Sequence, residues 1–344
     1  MKRIIDNYKH KLGSHCSSSL MSNILRYHGL NISEELCFGI GAGLGFIYRK
    51  AFNPPLYFVL GRGDDLEEKI CYHLGGMALP YITDDNLKAW TEVKRQIDDN
   101  EPVIINVDAS NLQYLRERFN LFEHVRYGGH RVAVIGYDEE ERIAYLSDYL
   151  WPEPQKVSYD ELEAARSSQT GQTPPDNLFY TLFFPREFIP LDEAIRSGIR
   201  LNCHNMLYPW FEILGLPGLM KFCQRLLSWP KFLNRDMVMK NAYMVYMMLE
   251  VVGTGGGNFR RLYARFLREA AEILKEPRLL EAYEIYANLG RLWKEMAYLL
   301  NEGSQDISKG IWNNVERNQL LLNEIFSKEQ EGILLLKGII DEKI

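Results

Sequence analysis

The pattern of the chain changes near residue 187, and this change limits the available folds more than any other feature. Before it, short strand-like apolar runs such as PVIINVDA and HRVAVIGYD lie between helical segments. After it, helical periodicity continues to the end, with predicted helices at 242–252, 259–275, 278–300 and 306–328. The sequence therefore predicts an α+β fold, with an antiparallel-sheet domain over 1–187 and an all-helical bundle over 188–344.

The length and composition fit two ordinary globular domains. The 344 residues are 46% hydrophobic and 25% charged, with a net charge of −6, so a general nucleic-acid-binding role is not expected. No stretch reaches the roughly 20 apolar residues that span a membrane, and no signal peptide is evident. We therefore expect a cytoplasmic protein. The five widely spaced cysteines argue against a disulfide framework or a structural zinc site.

Three residues with the chemistry of a thiol catalytic site occur in a characteristic order. Cys16 directly precedes a helical pattern, where the N–H groups of the helix start would stabilise a thiolate. His130 opens a strand-like run and Asp148 ends the next one, which together predict a hairpin. Such positions can lie close together, and the carboxylate would then orient the imidazole. This order, found in papain-like thiol enzymes, predicts a catalytic triad.

Each of these residues also has an ordinary structural interpretation. A single cysteine is more often a small buried hydrophobe than a nucleophile, and Asp148 alone could be a turn residue. The prediction of a triad therefore depends on the agreement of chain order, helix start and hairpin. The remaining thiols are interpreted as core residues: Cys37, Cys71, Cys203 and Cys223.

Longer segments around these residues extend the pattern. They are GSHCSSSLMSNILRYHGLNISEELCFGIGAGLGFIY, GGHRVAVIGYD with LSDY, and EVVGTGGGNFRRLYARFLREAAEIL in the helical half. Together they resemble the butirosin biosynthesis protein H family over nearly the whole chain. The resemblance implies a papain-like N-terminal domain, similar to C39 bacteriocin-processing peptidases, followed by the family's usual helical domain. The family's namesake is an acyltransferase that moves an aminoacyl group from a carrier-protein thioester to an aminoglycoside amine.

The resemblance also implies roles and partners. Cys16 would accept the acyl group, His130 would act as general base and acid, and Asp148 would orient His130. The donor would be an acyl carrier protein bearing phosphopantetheine, and the acceptor would be a small-molecule amine. No other cofactor, no metal, no nucleic acid and no membrane are expected, and a homo-oligomer is left open.

One position departs from the papain-like pattern. These enzymes usually carry a glutamine six residues before the nucleophile, where it donates to the oxyanion, and here that position is His10. An imidazole N–H can also donate, so His10 and the backbone N–H of Cys16 form the predicted oxyanion hole. The alternative is a surface histidine in the N-terminal loop. His15, next to the nucleophile, is expected to have a structural role.

A glycine-rich segment, GTGGGNFRRLYARF, joins two predicted helices in the second half. Its N–H groups could face an anion, so Gly255, Gly256 and Arg260 are candidate contacts to a phosphate or a substrate carboxylate. Glu250 could recognise a substrate amine or pair with Arg260. The alternative is a chain reversal between packed helices that glycine permits. The segment is not a P-loop, because it lacks the GK[ST] ending.

The sequence therefore predicts a thiol acyltransferase of secondary metabolism that forms an acyl-enzyme on Cys16. A peptidase or amidase with the same triad is one alternative, because both reactions use the same machinery up to the acyl-enzyme. A non-catalytic binding module with a papain-like fold is another, and it predicts a buried or misaligned Cys16.

Overall fold

The computed structural model describes residues 1–52, 55–119, 128–170 and 173–342. The described part of the chain has the predicted α+β class, with an antiparallel sheet followed by a mostly helical region. It separates into two compact units, each built from two stretches of chain. The first unit contains Met1–Cys37 and Leu74–Phe188, and the second contains Phe38–His73 and Ile189–Ile344.

The elements of regular structure are numbered here along the chain. The strands are β1 (Lys2–Ile4), β2 (Leu44–Phe52), β3 (Pro55–Arg62), β4 (Met77–Tyr81), β5 (Val103–Val107), β6 (His130–Asp138), β7 (Ile143–Ser147), β8 (Gln155–Ser158) and β9 (Phe179–Phe183). The α-helices are α1 (Cys16–Tyr27), α2 (Glu34–Ile40), α3 (Leu66–His73), α4 (Asn86–Asp98), α5 (Gln113–Phe119), α6 (Tyr159–Arg166), α7 (Leu191–Leu207), α8 (Gly215–Arg225), α9 (Arg235–Tyr246), α10 (Arg260–Leu274), α11 (Arg278–Gln305) and α12 (Val315–Asp341).

The first unit is organised by an antiparallel sheet in the order β4–β9–β5–β6–β7–β8, with β1 paired to β6. The predicted hairpin is present as β6 and β7, and Ala133 pairs with Ser147. One face of the sheet is apolar because alternate residues of β5 and β6 point to it. These residues pack with Val93 and Ile97 of α4 and with Leu162 of α6. The buried core fixes the hairpin register, since a one-residue slip would turn this face to solvent.

The second unit packs a two-stranded hairpin, β2 and β3, against its helices. Phe46 of β2 lies among Phe222 of α8 and Trp293 of α11, with ring centroids 5.7 and 5.6 Å away. Tyr57 of β3 stacks on Trp229 at 4.5 Å, and its backbone N–H donates to Asn241 of α9 at 2.6 Å. The unit therefore buries its aromatic residues between the hairpin and the bundle.

The hairpin is an element that the sequence did not predict. Two glycines outside the hairpin, in α2 and α7, allow close packing within the second unit. A Cβ atom at Gly39 would lie 2.2 Å from the ring of Phe266 in α10, and one at Gly198 of α7 would lie 2.3 Å from the carbonyl of Gly39. Both glycines are needed for close approach, because either Cβ would clash.

Two predicted helices have different bounds. The one expected at 242–252 begins at Arg235, ends at Tyr246 and continues as a π-helical turn over Met247–Val251. The one expected at 306–328 begins only at Val315, because Asn314 caps it by accepting a hydrogen bond from the N–H of Arg317. Before this helix, Gly310 has a φ of 62°, in the left-handed region that favours glycine, and the chain turns there.

The division into domains 1–187 and 188–344 stays a prediction. The first compact unit ends near the same place, at Phe188, but Phe38–His73 belongs to the unit that contains the later helices. All five cysteines lie in the described ranges, where each is buried and none forms a disulfide bond. Among the described helices, none is both long enough and apolar enough to cross a membrane.

Candidate active site

Cys16 is the first residue of α1, as the sequence predicted. His15 caps this helix: its backbone is extended and its Nδ1 accepts from the N–H of Ser18. The first N–H groups of a helix point along its axis and carry partial positive charge, so a thiolate at this position is favoured. Cys16 is only 6% exposed, so little water competes for the sulfur.

The hairpin brings His130 and Asp148 together in the first unit. Because Ala133 pairs with Ser147, Asp148 follows the last paired residue of β7 and lies near the start of β6, where His130 is. The Nε2 atom of His130 lies 2.8 Å from Oδ2 of Asp148, with the carboxylate fully buried. Nδ1 is therefore the ring nitrogen left for the thiol of Cys16, which hydrogen-bonds to His130.

Electrostatics in this group of residues favour the charged forms. Burial alone would raise the pKa of the Cys16 thiol, but hydrogen bonds and positive charge from His130 and His15 hold it well below the usual range. Burial alone would lower the pKa of His130, whereas the carboxylate of Asp148 and the sulfur of Cys16 raise it to about 10. Each charge stabilises its neighbour, so the arrangement favours a thiolate–imidazolium pair.

Other thiols of the chain show what burial does without such partners. Burial raises the pKa of Cys71, Cys203 and Cys223 to about 12 in each case. These residues behave as core thiols, as the sequence predicted for them. The contrast shows that the electrostatics of Cys16 come from its neighbours and not from burial.

Tyr114 is a member of this group that the sequence did not indicate. It is the second residue of α5. Its hydroxyl donates to Oδ2 of Asp148 at 2.9 Å, the same oxygen that accepts from His130. No local sequence signal marks this contact, because α5 and the β7 end are 34 residues apart in the chain.

The comparisons with known proteins agree with the resemblance seen in the sequence. The model of the family described as "Butirosin biosynthesis protein H, N-terminal" matches residues 15–149, which include Cys16, His130 and Asp148. The model of a second family, described as "Domain of unknown function (DUF4872)", matches residues 160–336. The chain belongs to the DUF4872 family. Its N-terminal part matches the butirosin biosynthesis protein H N-terminal domain, as the resemblance implied. No curated protein matches the chain.

In this chain, two hydrogen-bonded contacts hold the loop before Cys16. The N–H of Ser14 donates to both carboxylate oxygens of Glu34, at 2.9 and 2.8 Å. The N–H of Gly13 donates to the carbonyl of Tyr149, next to Asp148, at 3.0 Å. A Cβ atom at Gly13 would lie 2.3 Å from Ser19, so this close path needs glycine. The loop therefore fixes Cys16 relative to the Asp148 segment.

A cavity of about 440 Å³ lies beside this loop and the first turns of α1. Its lining combines hydroxyl groups with both signs of charge, and includes Ser14, Ser19, Arg26 and Glu34. Such a lining suits a polar ligand better than an apolar one. Within the described ranges, no cluster of three or more His, Cys, Asp and Glu side chains is arranged to hold a metal ion.

His10 contacts the segment that carries Asp148. Its Nδ1 lies 2.7 Å from Oγ of Ser147, and its Nε2 lies 2.5 Å from the carbonyl oxygen of Trp151. A carbonyl can only accept, so Nε2 carries the proton and donates it to Trp151. Donation to an oxyanion would require His10 to leave these partners. The oxyanion role of His10 therefore stays a prediction, and the observed contacts support the chain around Asp148.

The glycine-rich segment in the second unit reverses the direction of the chain through residues with left-handed backbone angles. Gly255, Gly256 and Gly257 have φ angles of 63, 79 and 63°, and Asn258 and Phe259 continue in the same region. Left-handed backbone favours glycine, which explains the composition of the segment. A ligand contact by Gly255 and Gly256 stays a prediction.

Glu250 and Arg260 do not pair with each other, contrary to one interpretation of the sequence. Glu250 accepts from the N–H of Gly257 at 2.7 Å. Arg260 is fully buried: its Nε donates to Glu329 at 2.6 Å, and its other nitrogens donate to backbone carbonyls of the unit. A ligand contact by Arg260 would require these bonds to break, which makes a structural role the better interpretation.

The depressed pKa of Cys16 gives a prediction for chemical labelling. We expect iodoacetamide to alkylate Cys16 in the native chain with a pH midpoint well below 9.0, the ordinary thiol value, while Cys71, Cys203 and Cys223 stay unlabelled at neutral pH. His130→Ala should move the midpoint upward, because it removes a hydrogen bond and a positive charge. Peptide mapping by mass spectrometry after timed labelling measures both effects. A native midpoint at the ordinary value would contradict the thiolate assignment.

Proposed function

We propose that the chain is a cysteine-dependent acyltransferase of a biosynthetic pathway, with Cys16 as nucleophile and a carrier-bound thioester as acyl donor. The observation that carries the proposal is the buried arrangement of Cys16 at a helix start and the 2.8 Å His130–Asp148 contact. The low pKa of Cys16 and the raised pKa of His130 support a nucleophile and a proton carrier. The match to a butirosin biosynthesis protein H domain supports a biosynthetic role.

In the first half-reaction, the Cys16 thiolate attacks the thioester carbonyl. The new S–C bond forms a tetrahedral intermediate, and its collapse breaks the bond to the donor thiol. The imidazolium of His130 gives its proton to the departing thiol and becomes neutral. Asp148 keeps the ring oriented during this change and stabilises its charged form.

In the second half-reaction, an amine attacks the acyl group on Cys16. Neutral His130 takes the proton that the amine nitrogen loses, and the S–C bond to Cys16 breaks as the amide forms. The thiolate and the imidazolium are then restored, so no oxidant or other reactant is consumed. The polar cavity beside α1, with Glu34 and Arg26 in its lining, is the region that we propose for the acceptor.

Acyl-enzyme formation tests this proposal directly. We expect intact mass spectrometry to show one acyl group added to the full chain after incubation with acyl or aminoacyl thioesters on N-acetylcysteamine or on a phosphopantetheinylated carrier protein. The group should map to Cys16. Cys71→Ala is the matched control, because it removes a buried thiol with a raised pKa and should still be acylated. No adduct on the native chain with any donor would overturn the proposal.

The fate of the adduct separates transfer from hydrolysis. If amines accelerate loss of the adduct and appear in the amide product, transfer is supported. If the adduct is lost at one rate at every amine concentration, with only free acid formed, the chain is a hydrolase with the same triad.

A further inference from the structure

Two donors share one carboxylate oxygen in the first unit. Oδ2 of Asp148 accepts from Nε2 of His130 at 2.8 Å and from the hydroxyl of Tyr114 at 2.9 Å. Oδ1 of Asp148 is buried and has no hydrogen-bond partner among the described residues. Within the part of the chain that the structure describes, the side-chain hydrogen bonds to this carboxylate come from His130 and Tyr114.

The position of the Tyr114 ring is fixed by packing. It meets Trp151 edge to face, with centroids 4.8 Å apart and planes at 89°, and it packs on the apolar core of the first unit. Trp151 is itself held through its carbonyl, which accepts from His10. The hydroxyl of Tyr114 is thus directed at Asp148 by contacts that do not involve His130.

We propose that Tyr114 is a positioning residue that holds the Asp148 carboxylate through its hydrogen bond and makes the proton of His130 easier to release. Its effect on catalysis rests on the proposed function, in which neutral His130 must accept a proton from the incoming amine. Its effect on the His130–Asp148 pair does not depend on any substrate.

The direction of the effect follows from the charges of the pair. When His130 is protonated, the carboxylate of Asp148 faces a positively charged imidazolium. When His130 has released its proton, the buried carboxylate depends more on the Tyr114 hydroxyl. Tyr114 therefore stabilises the state with neutral imidazole most. It opposes the influence of Asp148, which together with Cys16 raises the pKa of His130 to about 10.

Other ionisable groups act on the same residues. Cys16 acts on His130 from the start of α1, and His15 acts on Cys16. Glu161 of α6 acts on Tyr114. On the other side, His10 contacts Ser147 and Trp151. Replacing Cys16 by serine removes the titrating partner of His130 that ranks after Asp148, so that His130 reports on Asp148 and Tyr114.

The test is an NMR titration of His130 in the full Cys16→Ser chain, with and without Tyr114→Phe. We expect the pKa of His130 to rise by about one unit in Tyr114→Phe, the size of one lost hydrogen bond to a charged group. Tyr27→Phe is the matched control, because it removes a hydroxyl that donates at 2.8 Å to a backbone carbonyl elsewhere in the unit. An unchanged or lowered pKa of His130 in Tyr114→Phe would overturn the inference.

A second variant keeps the test decisive if Tyr114→Phe does not fold. Site-specific 3-fluorotyrosine at position 114 keeps the shape of the ring and makes the hydroxyl a stronger donor, so the pKa of His130 should fall. An unchanged pKa would overturn the inference. The outcome is distinct from failure of the proposed function, since a shift of His130 without any acyl adduct on Cys16 would leave this inference standing and remove the other.

Discussion

Replacement of Cys16 by alanine is expected to lower acyl transfer by at least about 10³-fold, to the uncatalysed level, and to remove the acyl adduct. Burial raises the pKa of Cys71, Cys203 and Cys223 to about 12. These three thiols are therefore protonated at neutral pH and cannot replace Cys16. The measurement is turnover of a carrier or N-acetylcysteamine thioester with an amine, followed by mass spectrometry of the chain.

The same experiment tests whether the residues act as one unit. His130→Ala should cost a similar factor, and the double variant should be little worse than either single variant, because each removes the same chemical step. Cys71→Ala, in α3 of the second unit, should leave turnover unchanged. Full activity of Cys16→Ala, or additive losses in the double variant, would contradict the proposed triad.

The second large effect concerns stability. Glu329→Ala is expected to lower the free energy of unfolding of the second unit by about 3–5 kcal/mol, because it leaves the fully buried guanidinium of Arg260 without its counter-charge. It also removes the acceptor of the Trp293 indole N–H, which donates to Glu329 at 2.8 Å. A thermal unfolding scan should show the transition of this unit about 10 °C lower.

Two variants serve as controls for this prediction. Glu331→Ala, two residues along the same helix, breaks a half-exposed pair with Lys328 and should cost no more than about 1 kcal/mol. Glu329→Gln keeps an acceptor for Arg260 and Trp293 and should be less harmful than alanine. If Glu329→Ala were as stable as Glu331→Ala, the buried pair would not be the stabilising contact that its geometry indicates.

Local patterns predicted the parts of the candidate site that depend on neighbouring sequence. His130 and Asp148 lie in one hairpin, so alternation in two adjacent strands was enough to bring them together. Cys16 was placed at a helix start by the helical pattern that follows it. The class of fold followed from the same periodicities, since strands were confined to the first half of the predicted pattern.

The contacts that the sequence did not predict all join residues distant in the chain. Tyr114 reaches Asp148 only because α5 packs near the end of β7, and Arg260 finds Glu329 69 residues later. No local period records which tyrosine or carboxylate will be the partner. The β2–β3 hairpin was missed for a related reason: its glycines and its packing against later helices hide the strand pattern.

The division of each unit into two stretches has a consequence for synthesis on the ribosome. The β2–β3 hairpin is translated early, yet Tyr57 binds Asn241, 184 residues later, and the carbonyl of Gly61 binds Arg260, 199 residues later. At about 5–20 residues per second, the hairpin waits roughly 10–40 seconds for these partners. The last residue of the first unit, Phe188, is synthesised before either of these partners. Nascent chains should therefore complete the first unit, which contains Cys16, His130 and Asp148, before the second unit can close.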